Sequence, residues 1–128
     1  MSAVALTPGR SAAIELTVTD ADTAIALRSG DVPVLATPRV LALLEEACLR
    51  VVADDLDPAC TSVGYRAQLD HLAPVKVGAT VKADATLDKI EGRRLTFTVS
   101  VSDGAGLVAA GKVTRVVVDR ADFLDRAR

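Results

Sequence analysis

Three side chains in this sequence are of the types that chemistry on a carbonyl group requires: Thr37, Glu45 and His71. Glu45 stands out on a helical wheel of about 100° per residue. There Arg39, Glu46, Arg50 and Asp54 form a single polar stripe, with Glu46, Arg50 and Asp54 spaced four apart like helical ion pairs. Glu45 lies about 100° away from that stripe, among Leu41, Ala42, Cys48, Leu49 and Val52. A carboxylate on an apolar face costs several kcal/mol unless it is paired or protonated. It is therefore either a glutamate tolerated at the edge of an oligomer interface or a group kept for its chemistry.

His71, the only histidine, continues an apolar strand face that runs through Val63, Tyr65, Ala67 and Leu69. Taken alone, such a residue is more often a satisfied core histidine than a catalyst. An acid and an imidazole on the inward faces of two facing elements, however, are the parts of a general acid–base pair, or of a carboxylate nucleophile with its base. Thr37 is either simply the cap of a helix or a hydroxyl beside unpaired N–H groups that hold a developing oxyanion. Residues 37 and 45 are about 12 Å apart along one helix at 1.5 Å per residue, too far for both to touch one carbonyl. Two antiparallel helices from two subunits remove the difficulty, so the spacing predicts a two-fold dimer with shared sites.

The elements that must position these groups follow from periodicity. Ala12 to Val18 alternates as a first strand, and Thr19 to Asp31 is an irregular, lid-like stretch. Thr37-Pro38 places a hydroxyl at the N-cap and a proline at the first helical position, which opens one long helix from Pro38 to about Asp55. Asp57-Pro58 stops it. Strands follow. The first is the Val63–His71 run, ended by Pro74. After a turn at Val77-Gly78 comes the second, with Val81, Ala83, Ala85 and Leu87 on its apolar face. A turn at Glu91-Gly92-Arg93-Arg94 leads to Leu95, Phe97, Val99 and Val101. Asp103 to Gly106 turns into a last strand, Leu107 to Asp119, with a kink expected at Gly111. The charged tail Arg120–Arg128 is frayed or a short helix. One long helix followed by an antiparallel meander must bury the helix on the sheet, an α+β fold in a single domain spanning 1–128.

Composition removes several classes of function. With 15 basic and 17 acidic residues, a formal charge of -2 and 2% aromatic residues, the chain has neither the basic stripe nor the stacking platforms of a nucleic-acid binder. Met1 to Gly9 carry no positive n-region, and no apolar run approaches the roughly 20 residues needed to span a bilayer. The expectation is a cytoplasmic protein without membrane contact. Cys48 and Cys60 do not form a CxxC pair, and with one histidine there is no recognisable metal site.

Ala36-Thr37-Pro38 through Glu45-Glu46-Ala47-Cys48, Val63-Gly64, His71-Leu72-Ala73-Pro74, Gly78-Ala79-Thr80-Val81 and Glu91-Gly92-Arg93-Arg94-Leu95 together resemble the fluoroacetyl-CoA thioesterase-like group of hot-dog-fold acyl-CoA thioesterases. The likeness runs from about Val34 to Asp119. It implies a curled antiparallel sheet wrapped around one long central helix, in homodimers or higher oligomers. It also implies hydrolysis of an acyl-CoA thioester without a metal or separate cofactor, coenzyme A being part of the substrate. By position it places the family's threonine, glutamate and histidine on Thr37, Glu45 and His71. Its backbone contact to substrate falls on Gly64, for which packing against the helix is the alternative. The late Gly-x-His-x-Arg pattern survives only in part, as Gly111-Lys112-Val113-Thr114-Arg115. Arg115 is left either to meet a coenzyme A or carboxylate oxygen or to form a structural ion pair. Val113 in the histidine position and the lack of an aromatic residue between Thr19 and Asp31 turn the expectation away from fluoroacetyl-CoA. The expected roles are Glu45 as nucleophile or water-activating base, His71 as acid/base and Thr37 as orienting or oxyanion group. The alternatives are a non-catalytic acyl-CoA binding module and a hot-dog hydratase or dehydratase.

Overall fold

The computed structural model describes residues 6–128. β1 spans Ser11–Thr17, α1 Thr37–Val52, β2 Cys60–His71, β3 Thr80–Glu91, β4 Arg94–Asp103, β5 Gly106–Asp119 and α2 Arg120–Asp125. The five strands form one antiparallel sheet in the order β1-β3-β4-β5-β2. α1 lies across its inner face, mainly against β3 and β1. Alternation explains the core: Val81, Ala83, Ala85 and Leu87 of β3 and Leu95, Phe97, Val99 and Val101 of β4 are buried, and meet Val40, Leu43, Leu44, Ala47 and Val51 of α1. Small alanines at the centre of β3 let the helix approach closely, while Phe97 supplies the one large ring at the centre.

Several boundaries move. α1 starts one residue before Pro38, with Ala36 in the cap position and no side-chain cap, and it ends at Val52, short of Asp55. Thr37 is therefore not the cap; its hydroxyl is committed elsewhere. β1 ends at Thr17, and a 3-10 turn at Asp20–Asp22 orders the start of the stretch expected to be irregular. The tail does form a short helix, α2, which Asp119 caps by accepting from the Asp122 N–H.

β2 holds the largest correction. The expected face Val63, Tyr65, Ala67, Leu69, His71 is right only in its second half. A bulge between Gly64 and Arg66 makes Tyr65 an extra residue opposite β5. Before the bulge the inward residues are Ser62, which is buried, and Gly64, while Tyr65 is 53% exposed. One extra residue switches the facing of everything on one side of it.

Gly111 does not kink β5, which pairs continuously there with β2 and β4. A Cβ at this position would collide with the backbone carbonyl and Cα of Gln68 and Leu69. Gly111→Ala is expected to cost about 3 kcal/mol or more, since backbone cannot step aside as a side-chain tip can. Urea unfolding checks this; an unchanged midpoint would show that the strands can separate without loss.

Candidate active site

The end of β2 returns to the start of α1, and there the Thr37 hydroxyl and His71 Nδ1 are hydrogen-bonded at 2.7 Å. His71 Nε2 is buried and has no partner among the described residues. A buried ring nitrogen without a partner is costly unless something binds it. Beside it, Pro38 has no N–H and Ala36 offers no side-chain cap, so the first-turn N–H groups of Thr37 and Arg39 point out of the helix as open donors. A groove of about 330 Å³ opens here, lined by Ala24, Gly30, Val32, Val34 and Leu35 together with Thr37, His71 and Pro74. Among the described residues no Phe, Tyr or Trp borders it.

Half-way along α1 a second cluster forms. Glu45 Oε2 accepts from Arg115 Nη1 at 2.7 Å. The guanidinium is almost wholly buried and is fixed further by Ser62, through Nε to the hydroxyl at 2.8 Å and Nη2 to the carbonyl at 2.7 Å. Arg115 thus holds Oε2 in place and makes no bond to Oε1. Glu45 itself is half-buried at the rim of the helix's buried face. Two of the neighbours assigned to its apolar face, Ala42 and Leu49, are exposed. Gly64 faces the same carboxylate: a Cβ there would collide with Oε2. Gly64→Ala is expected to push the carboxylate off Arg115, and an activity that depends on the position of that group should fall at least about tenfold. Because only a side-chain tip must move, the melting temperature should change little. A large drop in stability with normal turnover would make Gly64 a packing glycine.

Thr37 and His71 meet, and Glu45, Gly64 and Arg115 meet, but the two groups do not touch within one chain. Eight helical residues separate Thr37 from Glu45, about 12 Å, and seven strand residues separate Gly64 from His71, about 20 Å. Both elements that carry the groups hold them apart.

Two further features escaped the sequence reading. Ser62 could be read as inward only by anticipating the bulge, for which Gly64 was the available signal. Arg39, assigned to the solvated stripe, instead donates through Nε to Asp22 at 2.8 Å, while Asp22 also accepts from the Thr19 N–H and hydroxyl. Burial raises the Asp22 pKa, but these donors outweigh it and leave the carboxyl below its ordinary value. The pair ties the stretch after β1 to the first turn of α1, beside the groove. Cys48, behind Glu45, is pushed by burial up to about 12 and stays a neutral thiol rather than a nucleophile. Val113, in place of the histidine of the resembled pattern, is buried in the core.

A curled five-stranded antiparallel sheet around one long helix, with a carboxylate and an imidazole on its inner side, defines a hot-dog-fold protein, and solved structures agree. A hot-dog-like protein from Thermanaerovibrio acidaminovorans superposes with a TM-score of 0.88 at 27% identity, covering 96% of this chain and 91% of that one. A point mutant of the fluoroacetyl-CoA-specific thioesterase in complex with fluoroacetate and CoA superposes with a TM-score of 0.87 at 31% identity, covering 92% and 99%. The fluoroacetyl-CoA thioesterase of Streptantibioticus cattleyicolor is 36% identical over 95 residues, 74% of this chain and 68% of the relative. Residues 18–121 match the family described as fluoroacetyl-CoA-specific thioesterase. The chain belongs to that family, and is a thioester hydrolase.

Proposed function

We propose that this protein hydrolyses an acyl-CoA thioester to the free acid and coenzyme A at a site shared by two copies of the chain. The observation that carries this reading is the Thr37–His71 hydrogen bond at the open N-terminus of α1, set in a groove whose polar groups lack a carboxylate. The missing carboxylate is Glu45 of a second copy whose helix runs antiparallel to the first. The exposed Ala42 and Leu49 beside Glu45 support this, since helix packing covers such a strip.

The thioester carbonyl lies at the first turn of α1, where the Thr37 and Arg39 N–H groups and the Thr37 hydroxyl stabilise the oxyanion. Glu45 Oε1 either attacks the carbonyl, breaking the C–S bond to release the coenzyme A thiolate and leave an anhydride that water then hydrolyses, or removes a proton from a water that attacks the carbonyl and expels the same thiolate; Arg115 fixes the carboxylate's other oxygen. His71 gives or takes the proton through Nε2, its ring oriented by Thr37. Gly64 keeps the approach to Glu45 clear of a side chain. These groups suffice for hydrolysis without metal or redox cofactor, and coenzyme A enters as part of the substrate. Among the described residues no helix is long and apolar enough to cross a membrane. A reducing cytoplasm fits the buried Cys48 thiol.

Free-thiol release from a panel of acyl-CoAs, short to long and including aryl-acetyl and halo-acetyl forms, tests the reaction. Turnover of at least one member is expected. Saturable binding of the esters with no release from any of them would make the protein a binding module and remove the chemical role given to Glu45.

A further inference from the structure

The outer face of β2 and β4 carries a cluster that the proposed reaction does not use. Tyr65, the chain's only tyrosine, is thrown outward by the bulge, and two guanidiniums gather on its ring. Arg94 Cζ lies 4.9 Å and Arg66 Cζ 5.6 Å from the ring centre. Neither arginine has an ion-pair partner among the described residues. Arg94 also lines, with Arg93, Glu91 and Val116, an open groove of about 310 Å³. Two like charges held against one ring repel each other in the free protein, and an anion placed between them turns that repulsion into attraction. The tyrosine offsets part of the cost by cation–π contact and presents both guanidiniums in a fixed arrangement.

The position of the cluster matters as much as its charge. Tyr65 directly follows Gly64, which faces Glu45, and Arg94 pairs with Val116, the neighbour of Arg115. β2 is the last strand of the sheet, so Tyr65 and Arg66 stand at its edge, one strand about 5 Å wide from the carboxylate side, and Arg94 reaches the ring from β4 across β5.

We propose that Arg66 and Arg94, presented by Tyr65, bind the phosphates of the coenzyme A portion of the substrate. The inference rests on the acyl-CoA reading above and adds to it the place where the nucleotide end is held. Guanidinium forks suit phosphate oxygens, and a site far from the reacting carbonyl adds affinity without entering the chemical step.

The test compares an acyl-CoA with the matching S-acyl-pantetheine, which has the same thioester and no nucleotide, in wild type and in an Arg66→Gln, Arg94→Gln double variant. Both residues sit on the surface, so the fold should persist, as circular dichroism will check. KM for the acyl-CoA is expected to rise at least about tenfold with kcat within twofold, as for loss of charge-assisted hydrogen bonds. The constants for the acyl-pantetheine should not move. In the wild type KM for the acyl-CoA should rise with added salt, and this dependence should weaken in the variant. Equal effects on the two substrates, or none on either, would overturn the subsite. If the wild type hydrolyses neither thioester, the hydrolase reading fails and calorimetry with adenosine 3′,5′-bisphosphate decides the subsite separately. Binding by the wild type and not by the variant would uphold it, whereas equal binding or no binding by both would refute it.

Discussion

Glu45→Gln is expected to lower kcat for acyl-CoA hydrolysis by at least about 10²-fold, the usual loss when a general base or a carboxylate nucleophile becomes an amide. The substitution is nearly isosteric. Its amide oxygen can still accept from Arg115 Nη1, and Arg115 keeps both of its bonds to Ser62. The stability cost should therefore stay at about 1–2 kcal/mol, the difference between a charged and a neutral acceptor, leaving a folded but inactive protein. Glu46→Gln is the control, because Glu46 is exposed on the polar stripe about 100° around the helix and should lose almost nothing. Single-turnover thiol release on both variants decides the matter. Full activity in Glu45→Gln, or a larger loss in Glu46→Gln, would remove Glu45 from the chemistry.

His71→Ala should reduce kcat by a similar factor, since it removes the proton carrier and leaves the Thr37 hydroxyl without the partner that orients it. The stronger experiment combines the two variants. If each site takes Glu45 from one chain and Thr37 and His71 from the other, a Glu45→Gln, His71→Ala heterodimer contains one site with both defects and one intact site. Unfolding an equal mixture of the two inactive proteins and refolding it should restore about a quarter of wild-type activity, because half the random dimers are mixed and each has one working site. A site confined to one chain would stay silent after mixing. That outcome would require Glu45 to approach His71 in its own chain across the roughly 12 Å of helix that separates Thr37 from Glu45.

Much of the site was legible as residue types before the fold was known. Glu45 was conspicuous because its position broke the polar stripe of an otherwise regular helix. His71 was the only histidine, and it lay on the strand face that turned out to point inward. Arg115 stands out as a cation among valines, but its partner, Glu45, is visible only in the structure. The partnerships were less legible. Pro38 located the start of the helix to within one residue, and because the cap falls on Ala36 and not on Thr37, the Thr37 hydroxyl is free for His71.

Local periodicity was enough to determine the α+β class, the single long helix, the run of strands after it and the carboxylate that did not belong, because each depends on side-chain spacing within one element; the expected meander holds only for β3, β4 and β5, since β2 pairs with β5 and not with β3. Ser62 facing inward, Tyr65 facing outward, and Arg39 leaving its stripe for Asp22 were decided only by the tertiary structure. A bulge changes the facing of a strand without changing its composition. Which charge meets which depends on the distance between elements remote in sequence, and Arg115 and Glu45 are 70 residues apart. The register of β2 on β5 and the seat of α1 on the sheet set those distances, and both are fixed by the packing of the whole core.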